Sequence, residues 1–242
     1  MNTENLVISE RFCGPPNSGN GGYVCGLLAK SLPGAVTVRL RAPPPLMVSL
    51  RREWSNDSAR LFHESTLVGE AKTSELNLEP PDCPTLAQAE QAAAAFPGFK
   101  THLFPRCFVC GPAREVGDGL RIFSGPLHGQ TVHAGLWVPD ASLADERGIV
   151  ATEFVWAALD CPSGFAVLPV PQRTAIVLGE LSAAVRGTLL VGKPTLVTSW
   201  PIANDGRRRT AGTAIQTLDG KLIAIARAVW IEVPYSQWAP AN

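Results

Sequence analysis

The helix predicted by NGGYVCGLLAKSL (Asn20–Leu32) has almost no charge on any face, and VATEFVWAALDCPSG (Val150–Gly164) predicts a second of the same kind. A helix of about ten to fifteen residues with so little charge cannot lie on a wet surface, because every face would expose apolar area. It has to be wrapped, and a curved sheet is the economical wrapper.

The sequence supplies the strands for two such sheets. After the first helix, residues 36–76 read as four strands: VTVRLRA, MVSLRREW and two extended segments within ARLFHESTLVGEAKTSEL, with arginines alternating against apolar residues. GLRIFSGP and QTVHAGLWVP are extended ahead of the second helix. Behind it come RTAIVLGELSAAVRG, KPTLVTSWPIA, RRRTAGTAIQTL and KLIAIARAVWIEV, with NDG and DG as hairpin signals. Each half thus places one core helix before a run of antiparallel strands. The expected organisation is an N-terminal repeat over 1–76, a linker over 77–106 and a C-terminal repeat over 107–242. Within the linker, Thr85 caps a short helix through Ala95, which Pro97 and Gly98 end.

Composition closes off other classes. Hydrophobic residues make up 45% of the chain against 17% charged, so a packed core is expected. Twenty-one basic residues balance 21 acidic ones, which leaves no global attraction to nucleic acid or anionic lipid. No apolar run of 18 residues predicts membrane insertion, and MNTENLVISERF lacks the basic and apolar segments of a signal peptide. A cytoplasmic protein is expected, with its six cysteines as free thiols. CFVCG (Cys107–Gly111) offers two soft ligands without a second cysteine pair, and neither His102 nor His128 stands at a persuasive spacing. The reading is a structural turn with no metal, zinc or redox work being the lesser alternative.

Residues 20–76 and 148–233 resemble the double-hotdog, TesB-like acyl-CoA thioesterases. NGGYVCGLLA, WAALD and DGKLIAIARAVW carry the likeness, and CFVCGPAREVGDGLRI is similar to a segment of uncharacterised hotdog proteins. The resemblance implies an α+β double hotdog: two antiparallel sheets, each around a central helix, joined as a pseudo-dimer. It implies hydrolysis of an acyl-CoA or related thioester by direct water attack, without a cofactor. Homo-oligomerisation is compatible with it.

Asp160 is the leading acid. A carboxylate after FVWAAL is expected to be buried and opposes the dipole at a helix C-terminus, a cost that asks for a reason. The resemblance makes it the counterpart of the family's water-activating aspartate; the alternative has it accepting turn hydrogen bonds from Ser163 or Gly164. Gly21 and Gly22 permit close backbone approach, and their N–H groups at the helix start are aimed at the thioester carbonyl, with Gly22 as the donor. The alternative of equal weight has Asn17, Ser18 or Asn20 as the cap of that helix, and Asn20 is also a candidate substrate contact. Glu153, about two turns before Asp160, shares its face or simply sits in a favourable first turn. Trp156 is a candidate for the acyl tunnel, with core packing as the alternative.

Where the family places a glutamine on its last long strand, this chain has Arg227, read as a partner for Asp160 or Glu180. Arg39, Arg41, Arg51, Arg52 and Arg207–Arg209 form a candidate phosphate rim or else ordinary solvated charge. An Arg227–Asp160 pair would favour a noncatalytic acyl-CoA or acyl-carrier binding protein.

Overall fold

The computed structural model describes residues 1–237; the last five residues of the expected C-terminal repeat, 238–242, lie outside the described residues. In chain order the elements are β1 (Asn2–Val7), α1 (Gly21–Ala29), β2 (Ala35–Leu40), β3 (Ser49–Trp54), β4 (Ser58–His63), β5 (Thr66–Ser74), α2 (Leu86–Ala94), β6 (Gly125–Pro126), β7 (His133–Trp137), α3 (Thr152–Ala158), α4 (Cys161–Ala166), β8 (Thr174–Val185), β9 (Thr195–Asp205), β10 (Arg208–Thr217) and β11 (Leu222–Pro234). The architecture is α+β.

The eleven strands among the described residues join in one sheet of order β1-β3-β4-β5-β2-β8-β11-β10-β9-β7-β6. Every pairing in it is antiparallel. The first five strands in that order come from the first half of the chain and the other six from the second. The halves meet where β2 pairs with β8, over four residue pairs from Val36↔Ala183 to Arg39↔Glu180.

Period-two alternation assigns side chains to the two faces of each strand, and in β11 both faces are largely buried. In β11, Ala224, Ala226, Ala228 and Trp230 enter the main core, whereas Arg227 is exposed. In β3, Leu50 and Arg52 are both fully buried. Arg52 is tolerated there because its guanidinium reaches Glu4, the Leu28 carbonyl and Ser31. The NDG and DG turns form as the sequence indicates, with Gly206 and Gly220 at φ +57° and +85°.

Helix α1 is buried from Gly22 to Ala29, as a wrapped helix must be. It packs on β2, β4, β5 and β8 and crosses α3. The crossing is close enough that a Cβ on Gly22 would lie 2.5 Å from Asp160 Cβ, and one on Gly26 would lie 2.4 Å from Glu153 Cα. Glycine at these two positions is what lets the helix backbones touch.

The linker helix forms as expected, through a capping box between Thr85 and Gln88. It then packs Ala89 and Ala92 against Leu127, Ala134 and Leu196 of the second half, so the linker is part of the wrapped surface.

Three elements differ from the sequence reading. NTENLV, for which the sequence reading gave no strand, forms β1, which pairs with β3 at the sheet's edge. GLRIF is irregular, with Arg121 at φ +53°, and only Gly125–Pro126 of that region pairs, with β7. The second helix is two helices. Pro162 has no N–H to continue α3, so that helix stops at Ala158 and the chain restarts as α4 with proline in its first turn.

Candidate functional site

That break positions the acid. Asp160 sits between α3 and α4 at φ −78°, ψ −86°, outside either helical ladder, and its side chain turns toward the start of α1. Asp160 Oδ2 accepts hydrogen bonds from Gly22 N–H at 2.9 Å and from Asn20 Nδ2 at 2.8 Å. Asn20 Oδ1 meanwhile accepts the Tyr23 N–H at 2.9 Å, capping α1. One asparagine therefore starts one helix and holds the carboxylate that ends the other. Of Asp160, Ser163 reaches only the backbone carbonyl, through both its N–H and its hydroxyl, while its oxygen accepts the Trp230 Nε1–H at 2.8 Å, so the turn reading describes the main chain and not the side chain.

Asp160 is 2% exposed, and its Oδ1 has no hydrogen-bond partner among the described residues. Burial pushes its pKa up to about 7, opposed by the Gly22 N–H and Asn20 and reinforced by neighbouring Cys107.

The carboxylate borders a cavity of about 430 Å³. Asn20, Gly21 and Asp160 all face it, and Leu40, Leu103, Phe165, Ile176, Leu178 and Trp230 supply apolar wall. Walls come from both halves of the chain. A bulge in β8 opposite Val229/Trp230 brings Leu178 and Gly179 to the cavity.

The other expected residues lie elsewhere. Gly22 N–H, expected to meet a substrate carbonyl, is spent on Asp160 Oδ2. The N–H of Gly21, one residue earlier, has no hydrogen-bond partner among the described residues. Glu153 lies in the first turn of α3 against Gly26, and Trp156 is a core residue, 2% exposed; neither borders the cavity. Arg227 is exposed, and its register, opposite Ser182 and Gly212, puts it on the face of β11 opposite Trp230, where its neighbours Ile225 and Val229 are nonetheless buried. Glu180 is paired instead with Arg39. The arginine rim is largely occupied in the same way: Arg41 pairs with Glu70, Arg51 with Glu53, Arg52 with Glu4 and Arg209 with Glu232.

The sequence reading missed a sulfur cluster beside the acid. Cys107 and Cys110 meet Cys161, the first residue of α4, with all three sulfurs within 4.8 Å of one another. His102 Nε2 lies 3.3 Å from Cys110 Sγ. Hydrogen bonds from the neighbouring thiols hold Cys107 well below the usual thiol range, while Cys161 is held well above it by Cys107 and Cys110, and Cys110 first of all by burial. The available signal was the CFVCG pair together with DCP, but 50 residues lie between Cys110 and Cys161.

One antiparallel sheet with the helices it encloses defines an α+β protein. The chain has the fold of TesB-like thioesterases. It is similar to a tesB protein of Mycobacterium avium subs paratuberculosis, with TM-score 0.62 and 12% identity over 96% of this chain and 93% of that one. It is similar also to the acyl-CoA thioesterase II TesB2 of Mycobacterium marinum, with TM-score 0.60 and 10% identity over 98% and 95%. A conserved hot dog fold protein of unknown function from Alicyclobacillus acidocaldarius matches with TM-score 0.53 and 12% identity over 99% and 94%. No family model matches the sequence, and no curated protein does. No helix among the described residues is long and apolar enough to cross a membrane.

Proposed function

We propose that the chain is a double-hotdog acyl-CoA thioesterase in which Asp160 activates water for direct attack on the thioester. The pseudo-dimer consists of β1–β5 around α1 and β6–β11 around α3 and α4, joined at the β2–β8 seam. The single observation that carries the reading is the asymmetry of one buried carboxylate: Oδ2 anchored twice, Oδ1 unclaimed, at the border of an apolar cavity. A pKa of about 7 leaves this group able to accept a proton at neutral pH.

In the reaction, Asp160 Oδ1 takes a proton from water as the water oxygen bonds to the thioester carbonyl carbon. The negative charge moves to the carbonyl oxygen, for which the helix start offers the free Gly21 N–H as donor. Collapse breaks the C–S bond, and the departing thiolate takes up the proton from Asp160. The apolar wall formed by Leu40, Leu178 and Phe165 suits an acyl chain.

The noncatalytic reading loses its main support, because it required Arg227 to neutralise Asp160 and Arg227 is exposed on the far face. The test is hydrolysis of acyl-CoA thioesters of several chain lengths by the intact protein and by Asp160→Asn. Turnover by the intact protein that disappears in the variant supports the assignment. Equal turnover by both rejects Asp160 as the base, and binding without turnover by either favours the binding protein.

A further inference from the structure

The sulfur cluster has the shape of a metal site. A tetrahedral zinc ion with Zn–S bonds of about 2.3 Å separates its sulfurs by about 3.8 Å. Cys107 Sγ and Cys161 Sγ are 3.5 Å apart, and the three sulfurs all fall within 4.8 Å. A disulfide requires a separation of about 2.05 Å, so the thiols stand at ligand spacing and not at bonding distance. All six cysteines of the chain are free.

The surroundings fit thiolates. CFVCG closes a tight turn, with Gly111 N–H donating to the Cys107 carbonyl at 2.9 Å. Only glycine fits there, since a Cβ on Gly111 would lie 2.5 Å from that oxygen. The turn points the backbone N–H groups of Val109 and Cys110 at Cys107 Sγ. Asn20 Nδ2 faces Cys107 Sγ at 4.0 Å and Cys161 Sγ at 3.8 Å. His102 Nδ1 accepts the Phe104 N–H at 3.0 Å, which places the ring proton on Nε2, and Nε2 faces Cys110 Sγ. Each sulfur therefore has an N–H turned toward it, and His102 acts as a donor to a ligand, not as a ligand. Such outer contacts hold thiolates in place around an ion.

We propose that Cys107, Cys110 and Cys161 form a three-thiolate site for a soft divalent cation of the Zn²⁺ type, with the fourth ligand drawn from the adjoining cavity. The three cysteines all line that cavity together with Asp160. Thiolate donors select zinc over magnesium or calcium, which take oxygen. On binding, the thiols release their protons to solvent, and three thiolates with one dication leave a single negative charge for the surrounding N–H groups. The site goes beyond the hydrolase reading and does not depend on it.

The test uses the full chain, reduced and stripped with a chelator, then titrated with Zn²⁺ and separately with Co²⁺. One ion should bind per chain, and Co²⁺ should give the thiolate charge-transfer absorption of three sulfurs with the intense visible bands of four-coordinate geometry. Cys161→Ser should lower the charge-transfer intensity by one thiolate's share, while Cys83→Ser leaves it unchanged. Should Cys161→Ser fail to fold, the wild-type intensity decides alone, because a band worth two thiolates or fewer overturns the proposal. So do the absence of stoichiometric binding, a spectrum indifferent to Cys161→Ser, and a chain that binds neither ion but forms a Cys107–Cys161 disulfide.

Discussion

Replacing Gly26 by alanine adds one methyl group where two helices already touch. The new Cβ would lie 2.4 Å from Glu153 Cα and 2.9 Å from Trp156 Cβ. Carbon atoms rest at about 3.5 Å or more, so α1 and α3 would have to part by about 1 Å at that point. Overpacking a core costs about 1–3 kcal/mol, and the upper end applies because the opposing atom is backbone and cannot rotate aside. Alanine recovers about 1 kcal/mol through its better helix propensity. The net loss is about 2 kcal/mol, which for a chain of this size corresponds to a fall in Tm of about 4–8 °C. Urea and thermal unfolding followed by circular dichroism measure it, with an unchanged urea slope showing that the unfolded state is unaffected. A Gly26→Ala protein more stable than wild type by about 1 kcal/mol would show helix propensity acting alone, and would refute the backbone contact between α1 and α3.

Gly22→Ala should lower stability comparably and hydrolysis further, since its Cβ would lie 2.5 Å from Asp160 Cβ; activity that simply tracks the folded fraction counts against this. Asp160→Asn should be more stable than wild type at high pH. The folded-state pKa is raised from 3.8 to about 7, so the carboxyl imposes no penalty below about pH 4 and the full penalty, about 4 kcal/mol, above pH 7. Urea unfolding at pH 4, 6 and 8 with chelator present should show the gap between the two proteins widening as pH rises, and a constant gap would contradict it. Asn20→Ala removes both the α1 cap and a hydrogen bond to the carboxylate, with an expected loss of about 2–3 kcal/mol; a change under about 0.5 kcal/mol would mean neither contact matters. Arg227→Gln should leave thioester turnover unchanged, and a loss of tenfold or more would bring Arg227 back to the site.

The fold was legible wherever a pattern is local. Alternation marked β2–β5 and β8–β11, the two glycine turns closed where the sequence placed them, and Thr85 capped its helix. Asp160 was legible because a carboxylate after FVWAAL is anomalous on any surface-or-core rule. What escaped was set by partners distant in sequence. NTENLV becomes a strand only because β3 offers an edge, and three cysteines become a cluster only because α4 starts beside the CFVCG turn. Arg227 was misplaced by matching a position without counting parity, for with Ala226 and Ala228 on one face it must take the other, where it alone between Ile225 and Val229 is exposed.

The ends of the sheet are unequal. β1 leaves six residues of backbone along one margin, whereas β6 presents only two along the other. Among the described residues, strand addition between copies therefore has one long starting line, and pairing of that line with itself about a two-fold axis consumes it on both molecules. Growth by that route ends at two chains, so this wide sheet carries its own barrier against becoming a fibre.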